Sequence, residues 1–320
     1  MNRMIPLVLL GVVCISAAPT LLPPVPANNP MTPEKIKLGK KLFYDPILSA
    51  DGKVSCASCH NPDLAFADHQ AVSPGVEGRK GVRNAPTLTN VAFRKSFFFE
   101  GGAKSLELQA MGPLTDHNEM ASDVDSVVKK LKAHPEYPAL FKEVFQAAPT
   151  MQHVVEAIAS FERTLISNNS PFDRFQRGDL KALTDAQKRG MELFFDQADC
   201  FHCHTGSNFT DELPHNTALN VFDEDQGLAR LTLKDEDIGK FKTPTLRNIA
   251  LTAPYMHDGS KATLREAVEH YNKGGESNLN ADPLMRPLGL TDDQIDDLVA
   301  FMESLTDEDF VRNPEFREAK

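Results

Sequence analysis

The sequence predicts an all-α chain built from two copies of one domain. Three observations predict it. The run Cys56-Ala57-Ser58-Cys59-His60 returns as Cys200-Phe201-His202-Cys203-His204. Each run is preceded by a Gly-x-x-Leu-Phe pattern, at Gly39 to Phe43 and Gly190 to Phe194, and followed by Pro-Thr-Leu-x-Asn, at Pro86 to Asn90 and Pro244 to Asn248. Apolar residues elsewhere recur at helical spacing, and no convincing alternating strand run is present.

Taken in order, residues 1–17 read as a secretory leader. Arg3 is its positive start, Leu7 to Ile15 its apolar stretch, and Ser16-Ala17-Ala18 its small residues near cleavage. That stretch is too short to span a bilayer. Cys14 is no convincing lipid-anchor site, because Val13 before it is bulky. Residues 18–30 are then a flexible Pro-rich N-terminus. Thr32 and Pro33 open a helix that Pro46 stops, and Thr184 to Gln187 is a capping box opening its counterpart. Further helices are expected after Ser122, over Val154 to Ile166, and over the capped Thr291 to Leu305. The turn-like Asn168-Asn169-Ser170-Pro171 divides the chain into domains 31–168 and 169–320.

Composition narrows the function. A net charge of −11 argues against nucleic acid or an anionic membrane as partner. Hydrophobic residues make up 41% of the chain, enough for two cores. Tryptophan is absent and phenylalanine numbers 20.

C-x-x-C-H is the attachment sequence of a c-type haem: two thiols bond covalently to the porphyrin and the adjacent imidazole ligates the iron. The two motifs use every cysteine but Cys14. A structural zinc site wants four ligands in closed spacing, and a redox pair wants a βαβ context that is missing. The chain is therefore read as carrying two haems, attached at Cys56 and Cys59 and at Cys200 and Cys203, with His60 and His204 as iron ligands.

The opposite face of each iron is where the copies differ. At the offset of 158 that aligns the Pro-Thr-Leu-x-Asn elements, Tyr271 lies over Pro113. Tyrosine can ligate ferric iron as a phenolate, whereas proline has no side-chain ligand. Gln109, on a short helix from Ser105 to about Ala110, and Glu119 flank Pro113 as candidates to face the first porphyrin. Their bland reading is solvated surface. His69 and His117 are rival ligands there, and His257 and His270 compete with Tyr271. His202 is expected to be exposed. The Phe97-Phe98-Phe99 run is core packing by default, with a place between the porphyrins as its alternative.

At these residues the chain resembles the bacterial di-haem cytochrome c peroxidase family, including its MauG-type branch. The segments that carry the resemblance are Ser55 to His60, Arg83 to Thr87, Gln109 to Glu119, Cys200 to His204, Leu251 to Gly259, and Leu298 to Met302. The resemblance implies two cytochrome c-like domains whose haems face a shared interface. It makes the first haem the peroxide site, with Gln109 and Glu119 in its distal pocket, and the second the electron-transfer haem. It implies a calcium ion held by Asn84 with backbone oxygens of Thr252 and Pro254, and a homodimer. Three departures stand out. Val76 occupies the position of a histidine that ligates the first haem in many family peroxidases. Tyr271 replaces the usual methionine on the second haem, as in the MauG-type branch, and Phe99 replaces a tryptophan between the haems.

The expectation is a periplasmic peroxidase that reduces hydrogen peroxide to water. Its electrons would come from a small donor protein, a c-type cytochrome or a copper protein. The alternative is MauG-type oxidation of a partner protein's side chains with stored oxidising equivalents. A third reading is a non-catalytic electron carrier.

Overall fold

The computed structural model describes residues 22–318, so the leader and Cys14 lie outside the described residues. Eleven α-helices are described: α1 (Pro33–Tyr44), α2 (Leu106–Thr115), α3 (Val124–Ala133), α4 (Tyr137–Phe145), α5 (Met151–Glu162), α6 (Pro171–Gln176), α7 (Asp185–Phe195), α8 (Ala229–Thr232), α9 (Leu264–Lys273), α10 (Asp292–Glu303) and α11 (Glu308–Val311). The described sheet is one antiparallel pair, β1 (Pro214–His215) with β2 (Phe241–Lys242). No described helix is long and apolar enough to cross a membrane.

The helix starts follow from their caps. Thr32 accepts from the Lys35 amide at α1, and Thr184 and Thr291 form full capping boxes with Gln187 and Gln294 at α7 and α10. Each domain then crosses two helices to make its core. In the first, Leu38, Leu42 and Phe43 of α1 pack on Val154, Ile158 and Phe161 of α5. In the second, Phe194 of α7 packs with Leu298 and Phe301 of α10.

The Gly-x-x-Leu-Phe repeat explains itself at these crossings. A Cβ on Gly39 would lie 1.8 Å from the Ala157 carbonyl oxygen of α5, and a Cβ on Gly190 1.8 Å from that of Asp297 in α10. Only glycine allows either helix pair to touch backbone to backbone. Gly39→Ala and Gly190→Ala are each expected to cost about 1–3 kcal/mol or more by overpacking. Gly81→Ala, where a Cβ meets nothing within 4 Å, should stay within about 0.5 kcal/mol. Urea unfolding of the three variants checks this.

The duplication extends into the connecting loops. Asn90 and Asn248 both adopt left-handed backbone, at φ 53° and 59°. The Asn90 side chain accepts from the Ser167 amide at 2.8 Å, and that of Asn248 from the Asp307 amide at 2.7 Å. Ser105 and Thr263 then cap α2 and α9, which have equal length and the predicted offset. Pro113 and Tyr271 therefore occupy equivalent positions on equivalent helices.

Three details depart from the sequence reading. The helix after Ser105 does not end near Ala110 but runs to Thr115, with Pro113 inside it. The N-terminal segment is not free along its whole length: Asn29 is buried and donates to Glu107 and to the Glu156 carbonyl, while Lys35 donates back to Asn29. The C-terminal residues also cross the 168/169 division. Phe310 and Phe316 pack on Phe66 in the first core, and Tyr44 donates to the Phe316 carbonyl at 2.6 Å.

Candidate functional site: two C-x-x-C-H turns and the groups that face them

Each motif is wound into a 3-10 turn, Cys56–Ser58 and Cys200–His202. The His60 amide donates to the Cys56 carbonyl at 3.0 Å and the His204 amide to that of Cys200 at 2.9 Å. One turn thus gathers two sulfurs and an imidazole. His60 Nδ1 lies 2.8 Å from the Phe66 carbonyl oxygen, and His204 Nδ1 lies 3.0 Å from that of Phe209. A carbonyl can only accept, so Nδ1 carries the proton and Nε2 is left as the metal-binding nitrogen. Burial lowers both imidazoles below their usual pKa, which keeps them neutral as ligation requires. Burial also raises the thiols, Cys59 to about 11 and Cys200 to about 12, so these are not reactive thiolates.

The second motif opens on a cavity of about 310 Å³. Cys200, Cys203 and His204 form part of its wall, and Tyr271 of α9 another, with Leu264, Val268, Leu298 and Met302 among its apolar lining. Burial, with the Cys203 and Cys200 sulfurs adding to it, drives the Tyr271 phenol above its ordinary pKa. A phenolate there needs a cation, and a ferric iron in the cavity would reverse the sign of the shift. The rival histidines are otherwise engaged: His270 Nε2 lies 2.8 Å from the Thr217 carbonyl oxygen, and His257 stacks on Phe241 at 3.8 Å. His215 sits between Asp211 and Asp282, at 2.9 and 2.6 Å, close to Cys203.

At the first motif, Glu119 is near enough for its charge to act on both Cys56 and Cys59. Its side chain is exposed to water, yet desolvation by the surrounding protein and, after it, the charge of Asp116 raise its carboxyl to about 7. The backbone holding it is tightly packed. The Val76 amide donates to the Glu119 carbonyl at 2.7 Å, and a Cβ on Gly75 would lie 2.4 Å from that oxygen. Arg79 bridges the two segments, donating to the Val76 carbonyl at 3.1 Å and to that of His117 at 2.6 Å. Val76 itself is buried. Gln109 is half-buried on α2, and Pro113, lacking an amide hydrogen, leaves the Gln109 carbonyl without its usual helical partner. His117 is exposed beside Arg79, and His69 faces the Ala253 carbonyl. The exposed His202 pairs with Asp199.

Phe97 is core, whereas Phe98 and Phe99 line the second cavity. Phe98 also presses its ring on Gly112 of α2, so it reaches from the first domain's helix to the second domain's cavity. Asn84, Thr252 and Pro254 line the same cavity from both domains. The Asn84 side-chain amide donates to the Gln70 carbonyl at 2.8 Å and its backbone amide to that of His257 at 2.7 Å, which leaves Oδ1 as the side chain's oxygen for a cation. Sequence reasoning missed Gly75 and Arg79, whose work depends on a contact between loops forty residues apart. It also missed Arg94 and Lys242 in the second cavity's wall, where only their charge type was visible.

Comparison with known proteins bears on this arrangement. Residues 33–181 match the family model described as di-haem cytochrome c peroxidase, and residues 187–306 match that of cytochrome c. The methylamine utilization protein MauG of Methylorubrum extorquens is 41% identical over 88% of this chain and 81% of its own. The chain belongs to the di-haem cytochrome c peroxidase family. Cytochrome-c peroxidase IdrP1 of Denitromonas iodatirespirans is 39% identical, covering 88% of this chain and 84% of its own. A solved MauG-like protein associated with microbial copper homeostasis superposes with a TM-score of 0.88 at 35% identity, covering 92% and 96% of the two chains. The di-haem peroxidase BthA of Burkholderia thailandensis gives 0.76 at 27%, covering 91% of each.

Membership in the di-haem peroxidase family makes this chain an oxidoreductase and implies haem as its cofactor. The residues fit that group: neutral imidazoles with Nε2 free, free protonated thiols on one turn, and an apolar cavity with the half-buried Tyr271 in its wall.

Proposed function

We propose that this di-haem peroxidase family member reduces hydrogen peroxide to water at the His60 site, with electrons from a small redox protein arriving through the His204 site. The observation that carries the reading is Glu119: a carboxyl near neutrality beside the first motif, where neither Pro113 nor Val76 offers a ligand. When bound, the haem held by Cys56, Cys59 and His60 supplies the redox chemistry of O–O cleavage. The protein's part is proton handling and positioning. Ionised Glu119 takes the proton from one oxygen of hydrogen peroxide and returns it to the other, so that water leaves. Gln109 orients the peroxide by hydrogen bonds from its amide. Tyr271 would hold the iron of the second haem through its phenolic oxygen, and Phe99 lines the cavity that would receive that haem.

Asn84 Oδ1 and the backbone oxygens of Thr252 and Pro254 supply the hard oxygen donors that calcium prefers. The leader read in residues 1–17 points to the periplasm. A second reading is oxidation of a partner protein's side chains. Tyr271 and Val76 favour it, and so does the 41% identity to a MauG.

Turnover separates the two. A reduced c-type cytochrome or copper protein should be oxidised continuously, two equivalents per peroxide. If neither donor supports turnover while added peroxide leaves a covalently altered partner, the side-chain oxidase is correct.

A further inference from the structure

Two cations stand in the wall of the second cavity; of its three carboxylates, Asp199 pairs with Arg286 and Asp282 with His215, which leaves Glu212 alone to face both. Arg94 and Lys242 both line it, one from each domain. Arg94 is anchored by a 2.7 Å hydrogen bond to the Thr87 carbonyl, and Lys242 by its amide to the Phe99 carbonyl at 2.7 Å and by its ammonium to the Ser96 carbonyl. These are fixed side chains, held by neutral oxygens that leave their charge uncancelled. Glu212 is the carboxylate that faces both, and it already accepts from the Lys95 amide at 2.6 Å. Glu162, the other carboxyl near Arg94, is buried and raised to about 8, so it is largely neutral at pH 7.

Burial first, and then the charge of Arg94, lower Lys242 to about 8. Two neighbouring cations out of water repel each other and lose hydration, which an unpaired wall of a cavity does not repay. A further anion removes the conflict. The group implied for this cavity carries two: the propionates on the porphyrin edge opposite its thioether bonds.

We infer that Arg94 and Lys242 are a carboxylate-binding pair for the propionates of the haem attached at Cys200 and Cys203. This rests on the two-haem reading and goes beyond it by assigning two residues. Arg94 offers a forked donor suited to a carboxylate, and Lys242 a point charge. Their positive charge stabilises the reduced haem, so they raise its potential. Because one cation comes from each domain, the same propionates tie the domains together.

The test uses the full-length holoprotein. Haem content is measured first as the pyridine complex, and anything other than two per chain in the unaltered protein refutes the underlying reading, not this one. Arg94→Gln and Lys242→Met should each lower the potential of the second haem. The expected shift is roughly tenfold in its reduced-to-oxidised ratio at a fixed electrode potential, about 59 mV. Arg94→Lys and Lys242→Arg should keep the ratio within about threefold. Resonance Raman of the unaltered protein should place the propionate bending band where hydrogen-bonded propionates fall. Unchanged potentials in both neutral variants with two haems attached would overturn the assignment. So would a free-propionate band in the unaltered protein, which decides the matter even if a variant fails to take up haem.

Discussion

Glu119→Gln is expected to slow the reaction with peroxide by roughly 10²- to 10⁴-fold, the range a positioned acid–base group contributes. Glutamine keeps the size and the hydrogen-bonding reach of the side chain but cannot accept a proton from peroxide. The pH profile should change with it. A carboxyl raised to about 7 is mostly protonated below that pH and ionised above it. Only the ionised form is a base, so the unaltered protein should react faster as pH rises through about 7 and then level off. The variant should lose this rise. Stopped-flow mixing with peroxide from pH 5 to 9 measures both. A glutamine variant with native rates, or a native rate that falls through pH 7, removes Glu119 from the reaction.

Replacing Tyr271 should change the second centre as strongly as Glu119→Gln changes the first. Desolvation raises its phenol, so it ionises there only by bonding to a ferric iron, and that bond favours the ferric state. Methionine is neutral and favours the ferrous state. Tyr271→Met is therefore expected to raise the second potential by on the order of 0.1 V or more, within the roughly 0.8 V that axial ligands command. Tyr271→Phe should leave that iron five-coordinate and give it a high-spin spectrum like that expected of the first. Optical redox titration reads the first change and absorption the second. If both variants keep the native potential and a low-spin second haem, another residue is the ligand.

The repeated elements made the fold legible. Cap residues such as Thr32, Thr184 and Thr291 marked helix starts, and the offset of Pro113 to Tyr271 survived as equivalent positions on α2 and α9. Pro113 misled because proline usually ends a helix. Here the helix runs through it, and the Gln109 carbonyl is left without its usual helical partner. The return of Phe310 and Phe316 to the first core could not be read, since no local pattern says which of two apolar cores a tail joins. The tethering of Glu119 by Val76 and Gly75 was hidden for a related reason. Close approach of two loops leaves a glycine in the sequence but not the identity of its neighbour.

Unlike coordination at the two irons is what EPR of the resting ferric holoprotein measures directly. One high-spin signal from the His60 centre and one low-spin signal from the His204 and Tyr271 centre, in equal amounts, is the predicted spectrum. Two low-spin signals, with a second protein ligand on the His60 iron, would contradict it.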